Sequence, residues 1–224
     1  MAAVFDPSRA ALVDGGGEAP VWRGNLPINA RGQIAYHELA VAVGLDVGDS
    51  LVDVSLIDNV DGSERAQWIV EAEAFGVDVL VDFPGGPGIP PQFNQPGWNP
   101  ARFLGDAVRM PGGGEAAGHL VWWQIEGGST ADVLGPDVRS YNFVGLIEYL
   151  GVLRSMPDSV VYFHCMNGTD RTGAVVAGYG MRWMGLSLEK ARALADRVSA
   201  AGKMSPPYEQ LVEAYAKWLA SSHV

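Results

Sequence analysis

Apolar positions recur at a helical period over residues 64–75, where Trp68, Ile69, Ala72 and Phe75 share one face, and Gly76 closes the pattern ahead of an apolar run over 77–83. This predicts a helix followed by a buried strand. A second apolar run, 119–125, carries Trp122 and Trp123 and predicts another strand, with both rings as core and edge packing. Over 138–156, Phe143, Leu146, Ile147, Leu150 and Leu153 stand at the spacing of an amphipathic helix. The β-branched and aromatic run 159–163 predicts a third strand, and 172–184, apolar nearly all round, a buried helix. Two amphipathic helices close the chain. One uses Ala191, Leu194, Ala195 and Val198; the other starts at Ser205-Pro206, a capping residue before a proline, and uses Leu211, Tyr215 and Leu219. Strands alternating with helices imply an α/β fold, a central and mainly parallel sheet flanked by helices.

Elsewhere the pattern is weaker. Residues 1–20, with Gly15-Gly16-Gly17, read as a loose leader, and 21–224 as a single domain. The Gly/Pro-rich stretch 84–118 reads as irregular apart from a short helix over 100–109; such a segment is either a lid or binding loop or a solvated insertion. With 224 residues, 48% hydrophobic and 18% charged, the chain is long enough to bury a core without metals or disulfides. The formal charge of −11, with no Lys/Arg cluster, argues against a nucleic-acid partner. No run is long enough to span a membrane and the start lacks a signal-peptide pattern, so a cytoplasmic location is expected.

The one cysteine, Cys165, excludes an internal disulfide and leaves a structural thiol or a reactive one. Its surroundings favour the second. The segment His164-Cys165-Met166-Asn167-Gly168-Thr169-Asp170-Arg171-Thr172-Gly173 joins the predicted buried strand to the predicted buried helix. At such a junction the loop and helix N-terminus turn backbone N–H groups into one crevice that holds an anion, and glycine at 168 lets the backbone curl around it. Residues 166–171 are thus the expected phosphate-binding loop. The same partial positive charge, with the Arg171 guanidinium, favours the Cys165 thiolate, the form that attacks. Arg171 offers a planar fork for two phosphate oxygens. The Thr172 hydroxyl can donate to the sulfur and improve it as a leaving group. The competing readings are a structural turn or a non-catalytic phosphate-binding module. His164 reads equally as a packing residue or as one that orients the loop.

Cys165, five residues, Arg171 and then Thr172-Gly173, preceded by His164 at a strand end, resembles the signature loop of the protein tyrosine and dual-specificity phosphatase superfamily. Its ending, Asp170-Arg171-Thr172-Gly173, is similar to that of atypical bacterial tyrosine phosphatases and of lipid and inositol phosphatases. Val21-Trp22-Arg23-Gly24-Asn25-Leu26-Pro27 is similar to an early turn of the bacterial members, and 75–83 to their next strand, although Asp82-Phe83-Pro84 stands where those usually read Asp-Leu-Arg. The resemblance implies a cysteinyl-phosphate intermediate, with no metal and no cofactor. His37, His119 and His223 show no metal-ligand spacing either. Rhodanese-type sulfurtransferases also open an anion loop with cysteine, but normally keep four residues before the arginine and lack the Arg-Thr-Gly ending.

The Trp-Pro-Asp motif that supplies the family's proton donor is missing. Glu126, Asp132 and Asp137 lie in its expected place, and Asp170 is a fourth candidate. Asp132, 33 residues before Cys165, is the preferred one, since Asp137 resembles a helix cap. Met166 and Thr169 stand where relatives acting on phosphoinositides often carry lysines, which favours a phosphotyrosine peptide or a small phosphate ester over a phosphoinositide or inositol phosphate. Arg102 and Arg109 read as a second anion site or as solvent-exposed charges.

Overall fold

The computed structural model describes residues 4–57, 62–77, 103–125, 143–199 and 202–222. Within them lie strands β1 (Ala11–Asp14), β2 (Val21–Asn25), β3 (Ser50–Ser55), β4 (Ala107–Arg109), β5 (Glu115–Trp122) and β6 (Ser159–Cys165). The helices are α1 (Tyr36–Val43), α2 (Gly62–Ala74), α3 (Phe143–Leu153), α4 (Asp170–Trp183), α5 (Leu188–Val198) and α6 (Pro206–Ser221). The strands form one sheet in the order β1-β2-β6-β3-β5-β4. β2, β6, β3 and β5 run parallel, while β1 and β4 pair antiparallel at the two edges. The expected α/β architecture, with a mainly parallel sheet between helices, is what forms.

β6 lies at the centre, and every one of its residues is buried. A strand in that position has helices on both faces, which is why its sequence is apolar without alternation. Its two faces nonetheless diverge. Val161 and Phe163, with Val52 and Val54 of β3, pack among Phe143, Leu146 and Ile147 of α3 and Val175 and Val176 of α4. Val160 and Tyr162, with Leu51, pack on Leu39 of α1, Trp68 and Ala72 of α2, and Phe75 just past its end. Period-two alternation then puts Asp53, Ser55 and His164 on the α1/α2 side and Cys165 on the other.

The register aligns three strand ends. Asn25 of β2 is paired with Cys165, and Ser55 of β3 with His164. The carboxyl ends of β2, β6 and β3 therefore open on the same crevice, the place where open α/β sheets bind ligands.

Four expectations need correction. Part of the supposed leader, Ala11–Asp14, is strand β1, with Val13 in the core and Asp14 bonded to Tyr179 and Arg154. The helix over 100–109 does not form within the described residues: Leu104 bridges to Leu120 and Ala107–Arg109 is strand β4. Its glycine-rich neighbours instead close a hairpin, so β5 begins at Glu115 rather than at His119. The strand that follows β2 is β3, ahead of the run 75–83, of which only Phe75, Gly76 and Val77 lie within the described residues. The segment 138–142 is outside them too, and α3 is described from Phe143.

Candidate active site

Cys165 ends β6, and the chain then turns through Met166, Asn167, Gly168 and Thr169 into α4. Gly168 has φ +68°, and a Cβ there would meet the Gly24 carbonyl oxygen at 2.5 Å. The conformation favours glycine, and the close approach of β2 leaves no room for anything larger.

β2 holds the loop from beneath. Arg23 is fully buried, and it donates through Nη2 to the Gly168 carbonyl and through Nη1 to the Val198 carbonyl at 2.7 Å. Burial pulls its guanidinium below the usual range, opposed by the nearby Cys165. The Leu26 N–H donates to the Met166 carbonyl at 3.4 Å, and Arg9 Nη1 reaches the Asn167 carbonyl at 3.0 Å. Three loop carbonyls are thus tied outward, which leaves the loop's N–H groups for the crevice.

Cys165 is buried, 5% exposed as a residue. Burial pushes its thiol up, but the Thr172 hydroxyl, the Arg171 charge and the N–H groups of Thr172 and Gly168 outweigh that and hold it below the ordinary thiol value. Thr172 Oγ1 is buried with no other partner, and the thiol is the group it acts on. Arg171 is oriented from outside the loop. Its Nη1 and Nη2 donate to Glu64 Oε2 and Oε1 at 2.7 and 2.9 Å, and Nη1 also donates to the Leu56 carbonyl at 3.2 Å. Burial disfavours the guanidinium charge, yet Glu64, Cys165 and the Tyr208 hydroxyl raise it above its usual range.

These groups surround a cavity of about 360 Å³ lined by Cys165, Arg171, Glu64, Tyr208, Lys203 and Asp170, among others. Met166, Asn167 and Thr169 also line it, whereas Gly168, the remaining member of the loop expected to bind phosphate, does not. Asp170 is committed elsewhere through one oxygen: its Oδ1 accepts from the Ser205 N–H at 2.6 Å and fixes the start of α6. Glu126, Asp132 and Asp137 lie outside the described residues, as does Arg102. Arg109 is exposed and 4.0 Å from Glu115, in keeping with its reading as a solvent-facing charge.

Sequence reasoning missed Glu64, Tyr208 and Lys203, which reach the site from distant elements and carry no local motif. Arg23 stood within a quoted motif but had no assigned task. Behind the nucleophile a further group went unread. His164 Nε2 lies 2.6 Å from Glu71 Oε1 and 3.1 Å from Asp53 Oδ1, with all three side chains fully buried.

Chemically, the site joins a thiol biased toward thiolate, a cradle of N–H groups and an oriented guanidinium, which suits attack on a tetrahedral oxyanion. No protein-family model matches the chain, and no curated protein matches it in sequence. Similar solved structures include the crystal structure of Tk-PTP in the active form, 14% identical over 93% of this chain and 97% of its own, with TM-score 0.47. PTPMT1 in complex with PI(5)P is 10% identical over 96% and 99%, with TM-score 0.47. Human DUSP28 is 17% identical over 99% and 100%, with TM-score 0.45. Likenesses this distant concern the chain trace; the chemistry is read from Cys165, Arg171 and their neighbours.

Proposed function

We propose that the chain is a cysteine-dependent phosphomonoester hydrolase. The observation that carries this reading is the placement of one thiol, held below its ordinary pKa, at the mouth of an anion cradle with Arg171 beside it. The thiolate of Cys165 attacks phosphorus, an S–P bond forms and the P–O ester bond breaks, the leaving oxygen taking a proton from an acid. Water then attacks phosphorus, giving a proton back to that acid, the S–P bond breaks, and phosphate leaves with the thiolate restored. Arg171 and the loop N–H groups bind the equatorial oxygens throughout. Thr172 stabilises the departing sulfur. Asp132 is the proposed acid.

The favoured substrates are phosphotyrosine peptides or small phosphate esters. A second reading rests on Lys203, which lines the same cavity as Arg171 and suits a second anionic group, as in a phosphoinositide or inositol phosphate.

The test is hydrolysis of p-nitrophenyl phosphate by the wild type and by Cys165→Ser, with intact-mass detection of one phosphoryl group on the wild type after acid quench. Hydrolysis retained by Cys165→Ser would exclude the mechanism. Phosphate binding without hydrolysis would leave a non-catalytic phosphate-binding module. A panel of phosphopeptides, phosphoinositides and inositol phosphates separates the substrate readings.

A further inference from the structure

The cluster behind the nucleophile is built from three elements: His164 on β6, Asp53 on β3 and Glu71 on α2. Ser55 donates to Glu71 Oε2 at 2.7 Å, so that oxygen is satisfied. The remaining bonding does not close. His164 Nε2 carries at most one hydrogen, while Glu71 Oε1 and an Asp53 oxygen both approach it, and neither Asp53 oxygen has another hydrogen-bond donor. The other ionisable groups nearby are Tyr162, stacked on the imidazole, Cys165 itself, Arg23 beneath the loop and Arg171 at its end. Both arginines are engaged: Arg23 with Gly168 and Val198, Arg171 with Glu64 and Leu56. Two buried carboxylates thus face one imidazolium, an arrangement whose surplus charge is costly to bury unless a further proton neutralises it.

The same three side chains have the composition of a metal site, but the geometry argues otherwise. Two ligands on a tetrahedral zinc stand about 3.3 Å apart at usual bond lengths. Nε2 and Oε1, at 2.6 Å, stand well inside that separation.

We propose that Asp53 and Glu71 are positioning residues for Cys165: Asp53, facing Glu71, holds one proton beyond those of the His164 imidazolium, and its release is coupled to ionisation of the thiol. The assignment rests on Cys165 as the reactive thiol. While the extra proton is held, the cluster is neutral and the loop's cationic field alone acts on the sulfur. Once it leaves, a buried negative charge appears one residue from the sulfur and opposes the thiolate. Burial pushes Asp53 up to about 7, against the pull of His164 and with Glu71 adding to it, so this release falls in the working range. Burial works against the imidazolium, yet Glu71 and Asp53 hold His164 above the ordinary histidine range. His164 also meets the Cys165 carbonyl through Nδ1 at 3.4 Å, so a shift of the ring is felt at the nucleophile's own backbone.

Because the chain has one cysteine, ¹³C-cysteine labelling gives one side-chain signal, and its titration reads thiol ionisation without reference to turnover. For the wild type we expect a broadened curve with two inflections. In Asp53→Asn and in Glu71→Gln one carboxylate remains for one imidazolium, so each curve should sharpen to a single step with its midpoint at or below that of the wild type. Reaction with the neutral probe iodoacetamide should follow, each variant being up to about tenfold more reactive near neutral pH. A single sharp step in the wild type overturns the proposal even if neither variant folds, and so does a two-step curve that both folded variants retain. Coupled titration in a chain without phosphatase activity would leave this proposal standing and remove only the hydrolase reading.

Discussion

Glu64 grips Arg171 fork to fork, with Nη1–Oε2 at 2.7 Å and Nη2–Oε1 at 2.9 Å, while both side chains remain largely buried. The pair occupies the two terminal nitrogens from the side of α2. It positions the guanidinium, and it also places a carboxylate beside an anion site.

Those two effects separate on mutation. Glu64→Gln keeps the size, loses the charge-assisted pair and frees Arg171 to move, so kcat should fall about tenfold, equivalent to about 1.4 kcal/mol of barrier. Removing a negative charge from the cavity wall should at the same time leave inhibition by phosphate unchanged or stronger. Steady-state kinetics with phosphate as inhibitor checks both, and an unchanged kcat would show that the loop alone orients the arginine.

Arg23 is the stability counterpart. Replacing it with Met keeps the bulk but strips the buried Gly168 carbonyl and the partly buried Val198 carbonyl of their donor. Each unsatisfied group costs about 1–3 kcal/mol, so urea unfolding should show a loss of about 2 kcal/mol or more. A loss under about 0.5 kcal/mol would mean water replaces the guanidinium there.

Gly168→Ala should keep the fold and lose the cradle. The positive φ costs about 1–2 kcal/mol for a residue with a Cβ, and the Gly24 carbonyl stands where that carbon would go. Phosphate affinity, measured by calorimetry, should drop about tenfold or more, with Arg171 untouched.

Legibility in the sequence followed the bonding distance along the chain. The loop from Cys165 to Thr172 could be read because a nucleophile, a glycine with a backbone task and an arginine fall within eight residues. β6 and α4 could be read because burial on all sides leaves an unbroken apolar run. β3 was missed for the opposite reason. Asp53 and Ser55 interrupt its apolar pattern, and their meaning lies in Glu71 and His164, distant in sequence but adjacent in space. β1 and β4 escaped as short edge strands of four and three residues, one beside a run of glycines and the other within a Gly/Pro-rich stretch. Glu64 looks like any first-turn acid on a helix until Arg171 is brought to it.

The pH profile should carry the mark of Thr172. The thiolate is the attacking form, so kcat/KM falls as pH drops through the Cys165 pKa, and that limb lies below the ordinary thiol value because the thiol is held down. Thr172→Val removes one of the groups that lower it and leaves burial, which raises it, less opposed. The acid limb should therefore move to higher pH, and breakdown of the cysteinyl-phosphate should slow as the sulfur becomes a poorer leaving group. An acid limb that stays in place would assign the depressed thiol to Arg171 and the loop amides alone.

The proton donor is the sharpest remaining test, because the structure gives Asp170 an occupation that the sequence does not reveal. Its Oδ1 accepts from the Ser205 N–H at 2.6 Å, which engages that oxygen and ties α4 to the start of α6. Asp170→Asn keeps an oxygen for that N–H, so it should cost about 1 kcal/mol or less in stability and leave the dependence of turnover on leaving-group pKa unchanged. Asp132→Asn should behave differently. Loss of a general acid costs about a hundred- to ten-thousandfold, most for poor leaving groups, and abolishes the basic limb of the pH profile. Pre-steady-state phosphorylation of Cys165 by aryl phosphates of graded phenol pKa, run for Glu126→Gln, Asp132→Asn, Asp137→Asn and Asp170→Asn, reads the role directly. Steepening in Asp132→Asn alone assigns the donor there. Steepening in Asp170→Asn, with Asp132→Asn near wild type, would place the donor inside the phosphate loop and make the Ser205 contact a feature of the resting state only.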